Sequence, residues 1–329
     1  MTDTTTPPLT GLLHAALLAA VRAPSPHNTQ PWEFRVGTGR IDVLLDETRI
    51  LGVCDPGARE ATLACGAALL NIRLVLAARG HASEVRIQPD PARPRLLARV
   101  HVGGPHRPAP DELRLATAIG HRHTNRRPFL DRPVPTAVRH TLVMAAHAEG
   151  GQLLLLEQPP RLAALAALLR RADAVQARDE GFQEEVRAWT RTGRRPDGVP
   201  ATAGGPRATP GEPLLARPDD TVPEGPGGSG LRRGPLVAVL TTPGDTRRDV
   251  IRAGQAMQRV LLAATAAGLG ASFLSPLVEV SSARAVLHAM LGDRHHPQTV
   301  FRLGYGCPVS ITRRRPVEDV TMQEWPYDQ

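Results

Sequence analysis

Residues 55–83 read DPGAREATLACGAALLNIRLVLAARGHAS, and residues 242–272, TPGDTRRDVIRAGQAMQRVLLAATAAGLGAS, can be laid on them with a constant shift of 188. At that shift Gly66 falls on Gly254, Gly80 on Gly268, Arg59 on Arg247 and Ile72 on Val260. Leu63, Ala67, Leu70 and Leu74 in the first stretch recur at the three- and four-residue steps of a helix, and Val250, Gly254, Met257, Leu261 and Ala264 do the same in the second. Each run closes on a glycine, the residue that best takes the left-handed conformation ending a helix. Both helices are apolar on more than one face, so they are expected to lie back to back at the centre of the molecule.

A second echo follows each helix, where RVHVGGP at 99–105 resembles RLGYGCP at 302–308 as the end of a strand. The chain therefore reads as α+β, two tandem copies of one unit paired within the chain as a pseudo-dimer about long central helices. The first copy takes 1–110 and the second 111–329, and a length of 329 residues accommodates both. A tandem pair does in one chain what a homodimer does in two, without dependence on concentration, so a monomer is expected. The second copy carries an excess at about 172–233. Its first part, DAVQARDEGFQEEVRAWTR, can form a helix with Phe182, Val186 and Trp189 on one side, and a Gly/Pro-rich tract follows through GPGGSG at 225–230. Loops of that length are lids or tethers. A lid docking through Phe182 and Trp189 is the expectation, with a tether as the alternative.

The net charge is +8, yet all 40 basic residues are arginine. A complete lack of lysine reflects GC-rich coding, which weakens the charge as a sign of nucleic-acid binding. Aromatic residues make up only 3%, too few to build stacking platforms for bases, and no nucleic-acid partner is expected. Cys54, Cys65 and Cys307 are odd in number and include no C-x-x-C, against both a disulfide framework and a zinc site and in favour of a reducing cytoplasm. The apolar segment Leu9 to Val21 is interrupted by His14 and has no basic stretch before it, which argues against a signal peptide. It is also too short to span a bilayer, so it reads as a first amphipathic helix and no membrane association is expected.

That helix runs into PSPHNTQPW at 24–32. Three prolines in nine residues exclude a helix and leave a stiff loop. Ser25, Asn28 and Gln30 bring groups that both donate and accept, suited to the edge of a flat heterocycle or to a phosphate. The alternative is a rigid turn whose polar groups cap its own backbone and whose Trp32 fills core.

Taken together these stretches resemble the nitroreductase superfamily of flavin proteins, in its fused-repeat, Acg-like branch. APSPHNTQPW at 23–32 is similar to the P-S-x-x-N-x-Q-P-W loop that in dimeric members reaches the partner's flavin. RHTNRRPF at 122–129 resembles the phosphate and ribityl motif R-[RH]-S-x-[KR], with Thr124 in place of serine. GLGASFLSP at 268–276 resembles the loop beside the isoalloxazine edge, and GYGCP at 304–308 with TRRRPVEDV at 312–320 resembles the last strand and its basic clamp. The first copy has the proline loop without R-H-T-N-R; the second has R-H-T-N-R but EGGQ at 149–152 where the loop belongs. One complete site is then assembled between copies, which implies one FMN per chain.

The resemblance implies that Arg122, Arg313 and Arg315 hold the FMN phosphate through guanidinium forks, with Thr124 giving the hydroxyl contact of the family's serine and His123 and His27 meeting the ring edge. Arg126 is expected near flavin N1 and C2=O, stabilising the reduced ring. Pro24, Ser25, Pro26 and Asn28 are expected to line the ring from the other copy, and the backbone near Leu274 and Ser275 to meet its N5 side. Arg313 to Arg315 read alternatively as a solvated run, and His27 and His123 as surface residues. GLG at 268–270 closes a helix and is no dinucleotide fingerprint. No Ser/His/Asp set or metal-ligand cluster has a familiar spacing, and no protein acid or base is obligatory, because the cofactor carries the redox chemistry. The implied activity is hydride transfer from NAD(P)H to flavin N5 and on to a small organic acceptor such as a nitroaromatic or quinone. The alternatives are a protein that stores FMN beneath a lid and a biosynthetic dehydrogenase of unknown substrate.

Overall fold

The computed structural model describes residues 8–191, 195–200, 235–306 and 312–323. Up to residue 118 the order is α1 (Pro8–Ala20), β1 (Trp32–Gly37), β2 (Arg40–Leu45), α2 (Arg59–Ala78), β3 (His81–Ile87), β4 (Leu96–Pro105) and α3 (Pro110–Ala118). The chain continues through α4 (Thr136–His147), β5 (Gln152–Leu156), α5 (Pro159–Arg178), α6 (Glu180–Trp189), β6 (Thr190–Arg191) and β7 (Val199–Pro200). After these come β8 (Leu236–Thr242), α7 (Arg247–Ala266), β9 (Gly270–Phe273), α8 (Pro276–Glu279), α9 (Ser281–Met290), β10 (His296–Gly304) and β11 (Thr321–Gln323).

The first sheet has the order β1-β2-β4-β3 and the second β5-β8-β10-β9, with antiparallel neighbours in both. A long helix enters each between its second and third strands in sequence. Among the described residues the halves differ in α5, α6 and the β6–β7 pair inserted between β5 and β8, and in β11, which crosses to lie parallel to β1, with Phe34 opposite Thr321. The end of the described chain is thereby stitched into the sheet formed by its beginning.

The two long helices occupy the positions read from the sequence. Each has twenty residues, and their ends coincide at the same shift. Each ends in a residue near φ −90°, Arg79 and Ala267, followed by a glycine at positive φ, Gly80 at 84° and Gly268 at 75°. Their starts differ. Thr246 and Asp249 form a reciprocal capping box on α7, whereas on α2 the Asp55 carboxylate accepts the N–H groups of Glu60 and Ala61 at 3.1 and 2.8 Å.

The helices cross back to back at the glycines that aligned. A Cβ on Gly66 would stand 2.3 Å from the Ile251 carbonyl oxygen, and one on Gly254 would stand 2.1 Å from that of Leu63. Only two glycines permit so close an approach. Farther along the seam Gln258 Nε2 donates to Asn71 Oδ1 at 2.8 Å, and Asn71 Nδ2 donates to Ala19 O at 2.8 Å, tying α7 to α2 and α2 to the end of α1. α2 is the one described helix long and apolar enough to cross a membrane, but it is wrapped by protein on most of its surface. A single core spans the first sheet, α1, α2, α7 and the inner face of the second sheet, while Leu165, Leu169, Leu277 and Leu287 pack α5, α8 and α9 on that sheet's outer face. Cys54 and Cys65 are free and buried; Cys307 lies outside the described residues.

Candidate functional site

The proline loop is strained and held by its neighbours. His27, Asn28 and Gln30 take φ values of 45°, 58° and 55°, a region non-glycine residues avoid at a cost of about 1–3 kcal/mol each. Ser25 Oγ accepts the Gln30 N–H at 2.9 Å, and Trp32 is fully buried, so the rigid-turn alternative describes these two residues correctly. The amides have a different task. Asn28 Nδ2 donates to Gly198 O at 2.9 Å and to Arg313 O at 3.1 Å. Gln30 Nε2 donates to Pro196 O at 2.8 Å while its Oε1 accepts the Arg315 N–H at 2.8 Å. The loop is thus a clasp between the insertion and the basic run.

Beside it opens a cavity of about 380 Å³, lined among others by Pro24, Ser25, Pro26, His27 and Asn28. His123, Thr124 and Arg126 come from the segment after α3, which is stitched to the start of β9 by a Thr124–Ala271 bridge and by Asn125 N donating to Ala271 O at 2.8 Å. Ser272, Phe273 and Ser275 follow from β9 and the turn into α8, and Leu63, Ala64 and Met257 from the central helices. His27 is held neutral, its pKa lowered by burial and then by the Arg126 charge.

Three guanidinium groups gather at this cavity. Arg314 lines it; its Nη1 donates to Thr312 Oγ1 at 2.7 Å and its Nη2 to Ala23 O at 3.2 Å. Arg122 stands buried close by, with Nη2 directed at Arg22 O at 3.4 Å. The Nε atoms of Arg122 and Arg314 are buried without a hydrogen-bond partner. Burial first and neighbouring arginines second push Arg122 down to about 10 and Arg314 to about 9, and burial also lowers Arg126. Among the described residues no carboxylate pairs with any of the three. Buried cations without counter-charge are costly, and an anion bearing several acceptor oxygens answers both the charge and the orphaned donors.

Most expected positions meet here, but the basic run turns the other way. Arg313 is exposed and contributes its carbonyl to Asn28. Arg315 lies 3.7 Å from Asp46 and donates to Asp319 O at 2.8 Å, away from the cavity. Arg314 faces inward in their place. Pro316 restricts Arg315 to extended backbone, and neighbours along extended chain point to opposite sides, so the run can present either its middle member or its two flanks. Leu274 is also displaced: its side chain is in the core and its N–H donates to Val300 O at 2.8 Å, leaving Ser275 at the cavity.

The described part of the insertion closes over this space. Gln176, Phe182, Thr190 and Val199 line the cavity. Trp189 does not; Arg49 stacks on its ring at 5.3 Å and pairs with Asp197 at 2.7 Å. Glu185 on α6 accepts the N–H groups of Val53 and Cys54, the latter at 2.8 Å. The Gly/Pro-rich tract at 201–234 lies outside the described residues. The sequence reading missed Glu60 and Glu279, which also line the cavity and sit on separate elements with no local motif to join them.

Residues 119–305 match the model of the nitroreductase family. Across 330 aligned residues the chain is 32% identical to Rv3131 of Mycobacterium tuberculosis H37Rv, provisionally named an NAD(P)H nitroreductase, covering 96% of this chain and 92% of the relative. It is 30% identical to acg of the same strain, provisionally named likewise, over 94% of this chain and 95% of the relative. A solved nitroreductase with bound FMN from Desulfitobacterium hafniense DCB-2 superposes with a TM-score of 0.41 at 13% identity, over 64% of this chain and 98% of that one.

Proposed function

The chain belongs to the nitroreductase family, and from that premise we propose that it is an FMN-dependent NAD(P)H oxidoreductase acting on a small organic acceptor. The observation that carries the proposal is the trio of guanidinium groups beside the cavity, Arg122 buried and Arg126 and Arg314 half-buried, with no carboxylate paired to them among the described residues. When bound, FMN supplies the two-electron redox centre. Arg314 and Arg122 hold its phosphate, their unpartnered Nε groups completing the donor set. Arg126 presents a fixed cation to the pyrimidine side of the ring, where reduction places negative charge. Pro24, Ser25, Pro26 and Thr124 bound the ring, and Phe182 with α6 excludes water from it.

The chain is two tandem copies, 1–110 and 111–329, with one FMN between them. The equal strand orders and coincident helix ends support that division. At the symmetry-related loop Glu149, of the EGGQ that stands where the proline loop belongs, accepts from Arg73 at 2.6 Å and from Arg259 at 3.1 Å, which favours a single flavin position per chain. The chain works as a monomer in the cytoplasm.

One observation favours a second role, storage of FMN. The insertion is tied across the cavity by Asn28, Gln30, Arg49 and Glu185, which favours retention over exchange. Anaerobic mixing of FMN-loaded protein with NADH and with NADPH separates the two. An oxidoreductase bleaches the oxidised-flavin absorbance with at least one of them; a storage protein keeps its flavin and bleaches with neither.

A further inference from the structure

The cations account for only part of the cavity wall. Glu60, in the first turn of α2, and Glu279, the last residue of α8, line the same space. One guanidinium serves them: Arg59 Nη2 donates to Glu60 Oε1 at 3.0 Å, while its Nη1 donates to Gln298 O at 2.7 Å. Glu279 Oε2 accepts from Gln176 Nε2 at 2.7 Å, a neutral donor. Asp55 adds a third carboxylate to the group, accepting the backbone N–H of Glu60. Of the other charged or titratable groups around this space, Arg126, Arg314 and His123 line the cavity, burial and then the Arg126 charge lower the pKa of His27, and Glu185 on α6 is committed to the Val53 and Cys54 backbone.

Three carboxylates about one guanidinium leave an excess of negative charge, and burial magnifies it. Burial first, then repulsion by Glu279, pushes Glu60 well above the ordinary carboxyl range; burial does the same to Glu279, against the Gln176 hydrogen bond. Such a pair titrates as a unit and retains a proton under conditions where isolated carboxylates have lost theirs. The same space is also lined by the polar side chains of Gln176, Ser275 and Thr299.

We propose that Glu60 and Glu279 share one proton and deliver it to the electron acceptor in the cavity. The inference rests on the flavin reading above and adds to it a proton source built into the chain. For a quinone the balance is closed. Bound reduced flavin would supply two electrons and one hydrogen to one quinone oxygen; as the ring aromatises the other oxygen would become an oxyanion, which takes the proton as the carboxyl O–H bond breaks. The hydroquinone leaves, and the doubly ionised pair regains a proton from water.

The test has two arms. In the first, FMN-loaded protein is reduced anaerobically and re-oxidised with p-benzoquinone in a stopped-flow instrument across pH, for the wild type, Glu60→Gln, Glu279→Gln and the double variant. The wild-type rate should fall as pH rises through neutrality, approaching about tenfold per unit, and slow in D2O. The double variant should be at least about tenfold slower at low pH and flat. In the second arm the thermal midpoint of the apoprotein is followed over about pH 5 to 8. A carboxyl raised in the folded state binds more protons folded than unfolded, so stability falls as pH climbs from the ordinary carboxyl range through the raised value. Glu60→Gln should flatten that decline. Parallel midpoint curves for wild type and variant overturn the shared proton. A double variant with the wild-type rate and pH profile overturns its delivery while leaving the flavin reading intact. A chain that retains no FMN on gel filtration refutes the flavin reading and delivery with it.

Discussion

Replacing Gly66 by alanine tests the central architecture at one atom. Alanine is the better helix former by about 1 kcal/mol, so on propensity alone Gly66→Ala should stabilise α2. The added Cβ, however, would stand 2.3 Å from the Ile251 carbonyl oxygen, where an ordinary carbon–oxygen contact is about 3.3 Å. The obstacle is backbone, so no side-chain rotation relieves it, and the helices must part by about 1 Å. A gap of that size forfeits about a quarter to a half of each contact across the seam, and overpacking of this kind costs about 3 kcal/mol or somewhat more. Subtracting the propensity gain leaves a net loss of about 2 kcal/mol. Gly254→Ala meets Leu63 O in the same crossing, and the double variant should cost less than the sum, because the helices have already moved apart. Gly11→Ala in α1 is the control: its Cβ meets nothing within 4 Å, so it should be neutral or stabilising by up to about 1 kcal/mol. Urea unfolding of the four variants beside the wild type reads these differences. If Gly66→Ala behaves like Gly11→Ala, the back-to-back crossing is wrong.

Arg314→Ala should weaken FMN by about 1.5–3 kcal/mol, roughly ten- to a hundredfold by fluorescence titration, with riboflavin little affected; equal losses for both ligands would make the arginine structural. Arg315→Ala, whose partners are Asp46 and Asp319, should cost FMN affinity less than Arg314→Ala, and the reverse order would overturn the inward assignment of the run. Released flavin should amount to one per chain by absorbance after denaturation, and two would refute the split site. Glu185→Ala should free α6 and speed FMN release, measured by dilution. Despite partial burial, a hydrogen bond from the Cys54 thiol and others from the Cys54 and Val53 backbone hold the Glu185 pKa below its ordinary value, so docking is intact above the ordinary range and lost as pH falls through the lowered one; release that stays constant on acidification would count against this contact.

The sequence carried the central helices because their constraint repeats. Gly66 and Gly254 have no reason to align in two unrelated amphipathic helices, and they align because each serves as the other's clearance. Gly80 and Gly268 likewise mark one backbone solution used twice. The proline loop was legible as rigid and polar, but its division of labour was not: Asn28 and Gln30 reach Gly198, Pro196, Arg313 and Arg315, partners far away in sequence that a local reading cannot supply. The phase of the Arg313–Arg315 run was hidden for a simpler reason, since three identical side chains carry no pattern and only their surroundings choose between the middle and the flanks. Glu60 was the least visible. In the first turn of α2 a glutamate reads as an ordinary partner of the helix dipole, and nothing in its neighbourhood distinguishes it from one. Its raised proton affinity comes from burial and from Glu279, and Glu279 reaches it only because α8 follows β9 at the edge of a sheet packed on α7, while α7 is pressed on α2 by the two glycines. The crossing and the carboxyl pair are therefore one problem: whatever separates the central helices at Gly66 also moves Leu63 and Ala64 in the cavity wall, so Gly66→Ala should loosen FMN as well as destabilise the fold.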